Sequence, residues 1–314
     1  MDHIAAQSST ASNGQSAVFV GGPTYPDDKD AAQVIADLRK SGFTTVILWS
    51  IHVAVKGADT KDGDLFYNSV KIISDGEYVG DKAWPPLLKS LRTDKPSSVN
   101  RIEVSVGSAP PAKDWENIAA LIKQQHGTGP TSVLYRNFKK LKEITGADAI
   151  NNDDEKCYDV SSTVAFAKMA GQLGYKFTFA PYQKMKEYWA KVKADLGAIV
   201  DRAYVQCYEG GWRNADAKCL CEWSTELKDV AVFPGLWCRH ATSAGKPCDQ
   251  GDSPDEMKKK MSSWKKDCDK IAGGFLWLYD DIRKCAGSTG FTSANYAQAI
   301  NEATKSKKAA TTAV

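Results

Sequence analysis

Five acidic side chains, Asp148, Asp153, Asp154, Glu155 and Asp159, crowd the stretch GADAINNDDEKCYD at residues 146–159, with asparagines at 151 and 152. Two carboxyl groups two residues apart, such as Asp153 and Glu155, can divide the work of acid catalysis. When one is buried beside the other, each raises the other's pKa, and a glutamic acid can keep its proton near neutral pH and deliver it to a leaving group. The same run could also be a solvated loop or a cation site. Its spacing lacks the Asp-x-Asp-x-Asp-Gly loop with a distal glutamate that holds calcium, so no metal is expected. The elements that carry the run decide among these readings.

Short apolar, β-branched or aromatic runs recur along the chain: AVFVGG (17–22), TTVILWS (44–50), RIEVSVGS (101–108), the acidic stretch itself, KFTFAPY (176–182), AYVQCY (203–208), VAVFPGLW (230–237) and GGFLWLYDD (273–281). Amphipathic segments such as DDKDAAQVIADLRKSG and SVLYRNFKKLKEITG lie between them, and several end in glycine. Eight strand candidates alternating with helices predict parallel strands with helical crossovers, closed into an α/β fold of the (β/α)8 TIM barrel type. No glycine-rich phosphate motif follows the first strand, which argues against an open nucleotide-binding sheet. Residues 51–81 read as a hairpin-like insertion after the second strand, at the barrel mouth. The expected organisation is a disordered leader (1–16), one barrel domain (17–305) and a disordered tail (306–314). Barrel enzymes place catalytic groups at the C-terminal ends of strands. The acidic run would end the fourth strand, and alternation would turn Asn151, Asp153 and Glu155 into the mouth.

The net charge of +3, from 41 basic and 38 acidic residues, gives no reason to invoke a nucleic acid or a membrane as partner. Seven of eight cysteines lie after residue 200. Cys238 and Cys248 bracket a polar loop that a disulfide could close, and Cys268 and Cys285 flank the last strand. CLC at 219–221 has the wrong spacing for zinc. Disulfides would place the chain in a secreted or extracellular setting. His52 and His240 have no partner at ligand spacing, so packing or surface roles are expected. Neither a cofactor nor a second subunit is expected, so the chain reads as a monomer.

The pattern Asp148-x-x-Asn151-x-Asp153-x-Glu155 resembles the D-x-x-D-x-D-x-E signature of the family-18 glycoside hydrolases, the chitinases and endo-N-acetylglucosaminidases. SVGS (105–108) is similar to their third-strand S-x-G-G, FAPYQ (179–183) to the fifth-strand ending of plant chitinases, AYVQCYEGG to the sixth strand and GGFLWLYDD to the eighth. The resemblance implies an oligosaccharide or polysaccharide substrate containing N-acetylglucosamine, cut in endo fashion by a substrate-assisted retaining mechanism. Glu155 would protonate the glycosidic oxygen, Asp153 would orient the attacking N-acetyl group and Tyr208 would hydrogen-bond its oxygen. Trp277 would floor the sugar site, with Gln206, Tyr182, Gln183, Trp49 and Asp148 as further binding residues. Trp49, Trp212 and Trp237, at or just past strand ends, could stack on sugars.

Three departures bear on activity. Asn151 replaces an aspartate that shares a proton with the position of Asp153, and an amide cannot take that proton. Asn152 and Asp154 stand where apolar residues pack under helices, at a cost of several kcal/mol if buried unpaired, which predicts that the strand ends early or the backbone turns outward. Ser108 replaces a common glycine. The alternative to a glycosidase is a catalytically weak or silent chitinase-like protein, a lectin or inhibitor.

Overall fold

The computed structural model describes residues 14–182, 185–228 and 230–305. The eight barrel strands are β1 (Gln15–Val20), β2 (Thr45–Val53), β6 (Arg101–Val106), β7 (Ala149–Asn152), β8 (Lys176–Phe179), β9 (Val200–Gln206), β10 (Ala231–Trp237) and β11 (Gly273–Trp277). Each pairs in parallel with its neighbours, and β1 pairs with both β2 and β11, which closes the sheet into a barrel. The strands are short and almost wholly buried, as they must be when side chains fill the inside and helices cover the outside. The leader, the tail and Gln183 lie outside the described residues, apart from residues 14–16 of the leader.

The insertion after β2 is a three-stranded antiparallel extension of that strand. Its strands are β3 (Leu65–Tyr67), β4 (Val70–Ser74) and β5 (Glu77–Tyr78), with Ile51 opposite Tyr67 across the β2–β3 pair. β2 therefore runs three residues beyond the 44–50 predicted from the sequence, because the insertion supplies the partner for its last residues.

Two hydrophobic cores result. The larger lies between the barrel and its helices; helix Val133–Thr145, for example, buries Leu134, Phe138 and Leu141. The smaller fills one side of the barrel interior with Ala17, Phe19, Ile47, Tyr204, Phe233 and Phe275. The other side is polar. Glu103 and Ser105 on β6, Asn151 on β7 and Thr178 on β8 are all fully buried.

The disulfides differ from the pairs suggested by chain position. Cys221 bonds to Cys268, and Cys248 to Cys285, while Cys238 is a buried free thiol. Cys238 ends up with its thiol on the Leu278 carbonyl at 3.3 Å, facing the eighth strand instead of its own loop. Sequence proximity favours the short loop, but barrel packing decides which sulfurs meet at the required Cα separation of 5.6–5.8 Å.

Candidate active site

The C-terminal ends of the strands surround a cavity of about 190 Å³ into which Asp153, Glu155, Gln206, Tyr208, Trp49 and Trp277 all project. This is smaller than the roughly 300–1,000 Å³ of pockets for drug-sized ligands, and suits one small ring. The acidic run reaches it in an unexpected way. β7 stops at Asn152, so Asp153, Asp154 and Glu155 lie in the following loop instead of continuing the strand. The early end agrees with one of the two outcomes predicted for the polar pair. The expected outward turn does not occur, since Asn152 and Asp154 are 0% and 2% exposed. Their partners are local backbone groups. Asn152 Oδ1 accepts from the Asp154 N–H, and the Asp154 carboxylate accepts from the N–H groups of Lys156, Cys157 and Tyr158 at 2.7–3.0 Å. Asp154 thus replaces the hydrogen bonds that the strand no longer supplies, and sets the loop that carries Glu155.

Gly107, at the end of β6, makes room for this loop. Its φ is +102°, and a Cβ there would come within 2.6 Å of the Asp153 carbonyl oxygen.

Gln206, the last residue of β9, ties the two acids together. Its Nε2 donates to Asp153 Oδ1 at 3.5 Å, to Glu155 Oε1 at 3.2 Å and to the Ala180 carbonyl at 3.3 Å. Trp49 Nε1 donates to Asp153 Oδ2 at 3.2 Å from the opposite wall. The β2–β6 ladder slips between Leu48 and Ile51, an irregularity of the kind that re-aims a side chain at a barrel rim. Burial, and next the charge of Glu155, holds the Asp153 carboxyl well above the usual carboxylate range, against the Trp49 hydrogen bond. Burial also raises Glu155, opposed by the Gln206 hydrogen bond and reinforced by Asp154. Two adjoining carboxyls that each resist ionisation can retain a proton between them. The Tyr208 phenol is pushed up by burial and by the same two acids, so it remains a hydrogen-bond donor.

Aromatic rings form the apolar wall. Trp277 stacks on Tyr208 with ring centres 6.3 Å apart and meets Trp49 edge-on at 4.9 Å. Trp237 also faces the cavity and is fixed on two sides. Its Nε1 donates to Asp281, and the His240 ring stacks on it at 3.8 Å. His240 therefore packs a site residue. Tyr182 completes the rim near Glu155.

Two of the expected site residues, Asp148 and Asn151, do not line the cavity. Asp148 precedes β7 at the N-terminal end of the barrel, opposite the cavity, where its carboxylate accepts from the Ile102 N–H and from Arg92. It braces β6, β7 and a helix, away from the cavity. Asn151 is fully buried inside the barrel, below the cavity. Ser105 Oγ donates to its Oδ1 at 2.9 Å, and its Nδ2 donates to Thr178 Oγ1 at 3.0 Å. Thr178 in turn donates to Glu103 Oε2 at 2.7 Å. The other oxygen of Glu103 accepts from Arg101 Nε and from Tyr204 Oη, each at 2.7 Å, and Arg101 is paired in fork fashion with Asp201. Nothing in the sequence marked Glu103, since one acid within an apolar strand has no local signal of its partners.

His52, expected from the sequence to have a packing or surface role, has two polar partners. Its Nε2 lies 3.0 Å from Ser50 Oγ, and its Nδ1 lies 3.0 Å from Asp114 Oδ2. Serine, histidine and aspartate at these distances have the spacing of a nucleophilic relay. Ser50 is only 1% exposed, and Asp114 also accepts from the Val53 N–H, so the chain of bonds fastens β2 to helix Asp114–Gln124.

No protein-family model matches the sequence, and no curated protein is similar to it in sequence. Solved structures do match. A fungal endo-beta-N-acetylglucosaminidase of glycosyl hydrolase family 18 is 14% identical, with 92% of this chain and 98% of that one covered and a TM-score of 0.64. The fold is shared with family-18 glycoside hydrolases. A mutant family-18 chitinase from Cycas revoluta, solved with (GlcNAc)4, is 11% identical over 92% of this chain and 99% of that one, at a TM-score of 0.55. A chitinase-like agglutinin from Robinia pseudoacacia is 12% identical over 90% and 98%, also at 0.55.

Proposed function

We propose that the chain is an endo-acting glycosidase for N-acetylglucosamine-containing glycans, working by substrate assistance with Glu155 as the acid. The observation that carries this reading is the joint placement of Asp153 and Glu155 in one largely buried cavity, bridged by Gln206, with both carboxyls raised. Glu155 gives its proton to the glycosidic oxygen as the bond to the anomeric carbon breaks. The acetamido carbonyl oxygen of the same sugar attacks that carbon, closing a five-membered ring whose positive charge develops beside Asp153. Asp153 accepts the acetamido N–H and turns the group, and the Tyr208 hydroxyl donates to its oxygen. Glu155, now ionised, takes a proton from water as the water opens the ring, and configuration is retained. Trp277 provides the apolar floor against which the sugar sits. The likeness in fold to endo-N-acetylglucosaminidase and chitinase structures supports the substrate class. Two disulfides accord with an oxidising compartment.

A second reading, sugar binding without turnover, is favoured by one observation. Asn151 cannot receive the proton that an aspartate there would share with Asp153. Digestion of a glycan panel containing chitooligosaccharides and N-glycans, read by mass spectrometry, tests both. Cleavage by the wild type that is lost in Glu155→Gln, with binding retained, is the expected result. Equal cleavage by that variant overturns the role of Glu155, and binding without cleavage by the wild type favours the second reading.

A further inference from the structure

The insertion after β2 puts no side chain into the catalytic cavity, since none of residues 51–81 lines it. It meets the site one step back, at the segment that carries Trp49. β3 and β4 are joined by Asn68 and Ser69. Asn68 has a φ of +53°, in the left-handed region that asparagine tolerates better than most residues. In that conformation its backbone N–H donates to the Ser50 carbonyl at 2.9 Å, and its Nδ2 donates to the Trp49 carbonyl at 3.3 Å. Both donors of one residue thus close on consecutive carbonyls of β2.

The clamp is itself anchored. Tyr67, the neighbour of Asn68, is 1% exposed. Its hydroxyl donates to the Gly21 carbonyl at 2.6 Å, and its ring packs on Trp84 with centres 4.7 Å apart. Ser50, for its part, is tied by its hydroxyl to His52 and through it to Asp114. The Trp49 indole, held edge-on by Trp277, is left with its Nε1–H on Asp153 Oδ2.

Asp153 has few other donors. Asn151 directs its amide to Ser105 and Thr178, away from Asp153. Gln206 is 3.5 Å from Asp153 and shares its Nε2 with Glu155 and the Ala180 carbonyl. Trp49 makes the shorter bond, at 3.2 Å, and shares it with no other acceptor. The ionisable groups acting on Asp153 are Asp154 and Glu155 on its own loop, Asp114 on helix Asp114–Gln124, Tyr158 and Tyr208. None of these is a cation, so the indole N–H is the main counterweight to burial. A donor on one carboxylate oxygen fixes the rotation of the group and favours its charged form. Without it, the proton shared with Glu155 would settle on Asp153, and Glu155 would lack the proton it must give.

We propose that the insertion is a positioning device, in which Asn68 holds the Trp49–Ser50 segment so that the Trp49 indole stays on Asp153, in place of the carboxyl partner that Asn151 does not supply. Asn68 acts through Trp49, and Trp49 through Asp153. The inference deepens the glycosidase reading, on which its effect on turnover rests. The contact itself can be read without a substrate.

Two measurements on the full chain test it. In proton–nitrogen NMR each of the nine tryptophans gives an indole N–H signal, and Trp49→Phe identifies the one from Trp49. That signal should move downfield as pH rises and Asp153 ionises, and should lose most of this movement in Asp153→Asn. In Asn68→Gly, which keeps the left-handed φ and the backbone N–H, it should move upfield and titrate less. Asn68→Asp also accepts that φ and lacks the donor, so it should act likewise, and it carries the test if the glycine variant does not fold. In turnover of chitooligosaccharides, Trp49→Phe should lower kcat about tenfold with KM little changed, as expected for one hydrogen bond to a charged group. Because the indole bond favours the carboxylate, its loss should move both limbs of the kcat/KM profile to higher pH. The movement should be about one pH unit in Trp49→Phe and less in Asn68→Gly. A Trp49 signal that ignores pH in the wild type, or stays unchanged in both Asn68 variants, overturns the proposal. So does a fall in kcat without movement of the limbs, which would mean lost packing only. A titrating, Asn68-dependent signal in a protein that cleaves no glycan upholds the clamp and overturns the glycosidase reading.

Discussion

Asn151 departs from the family-18 pattern, and Asn151→Asp, which restores that pattern, should destabilise the protein in a pH-dependent way. Thr178 gives its hydroxyl hydrogen to Glu103 and must therefore receive one from residue 151. Asparagine supplies it through Nδ2; an ionised carboxylate cannot. At a fully buried position, an introduced carboxylate would be an unpaired interior charge, which costs about 3–5 kcal/mol. Protonated, the carboxyl could still donate to Thr178 and accept from Ser105, so the folded state should hold it neutral. Keeping an aspartic acid neutral costs ~1.4 kcal/mol for each pH unit above its unfolded pKa of ~3.9, or about 4 kcal/mol at pH 7 and under ~1 kcal/mol at pH 4. The sign follows from linkage: a raised folded pKa means the native state binds the extra proton, so its stability is present at low pH and is lost as pH rises. Urea unfolding of both proteins at pH 4, 5.5 and 7 should show the gap widening across that range. In a Glu103→Gln background Thr178 is free to turn its hydroxyl towards the new carboxyl, and the penalty at pH 7 should fall. A gap of equal size at pH 4 and 7, or an unchanged penalty in the Glu103→Gln background, would refute the proposed direction of the hydrogen-bond chain.

Asp153→Asn should abolish turnover yet raise the melting temperature at pH 7.5 more than at pH 4.5. Burial raises the folded pKa of Asp153, so its contribution is present below ~4 and is lost as pH rises through the folded value. For the same reason wild-type turnover should fall on the alkaline side as the Asp153–Glu155 pair gives up its shared proton, a limb visible in the pH profile of kcat/KM. Asp154→Ala leaves three loop N–H groups without their acceptor and should cost about 3 kcal/mol in urea unfolding, with loss of activity as Glu155 moves. Replacing both Cys221 and Cys268 by serine opens a bridge of sequence separation 47 and should lower stability by about 4 kcal/mol on the chain-entropy account.

Strand positions and their order around the barrel were readable along the chain, because buried strands must be short, apolar and punctuated by helices whatever they pair with. The acids at 153 and 155 and the tryptophan at 49 could likewise be placed at strand ends from the chain itself, whereas Gln206, Tyr208 and Trp277 entered only through the family-18 resemblance. Alternation misjudged the acidic run itself. It assumes a continuing strand, whereas Asp154 captures three backbone N–H groups and ends it. Asp148 looked like part of the same run, yet four residues of strand carry it to the far end of the barrel.

What the sequence determined by itself is therefore the set of elements and the chemical types at their ends, since both follow from short-range sterics and the burial of apolar surface. Tertiary structure alone decided the partners. Gln206 meets Asp153 from 53 residues away, Glu103 meets Tyr204 from 101, and Cys221 meets Cys268 in place of the nearer choices. Closure of the barrel brings these groups within about 3 Å, and at that range hydrogen bonding and desolvation, which have no period along the chain, set which carboxyl keeps its proton.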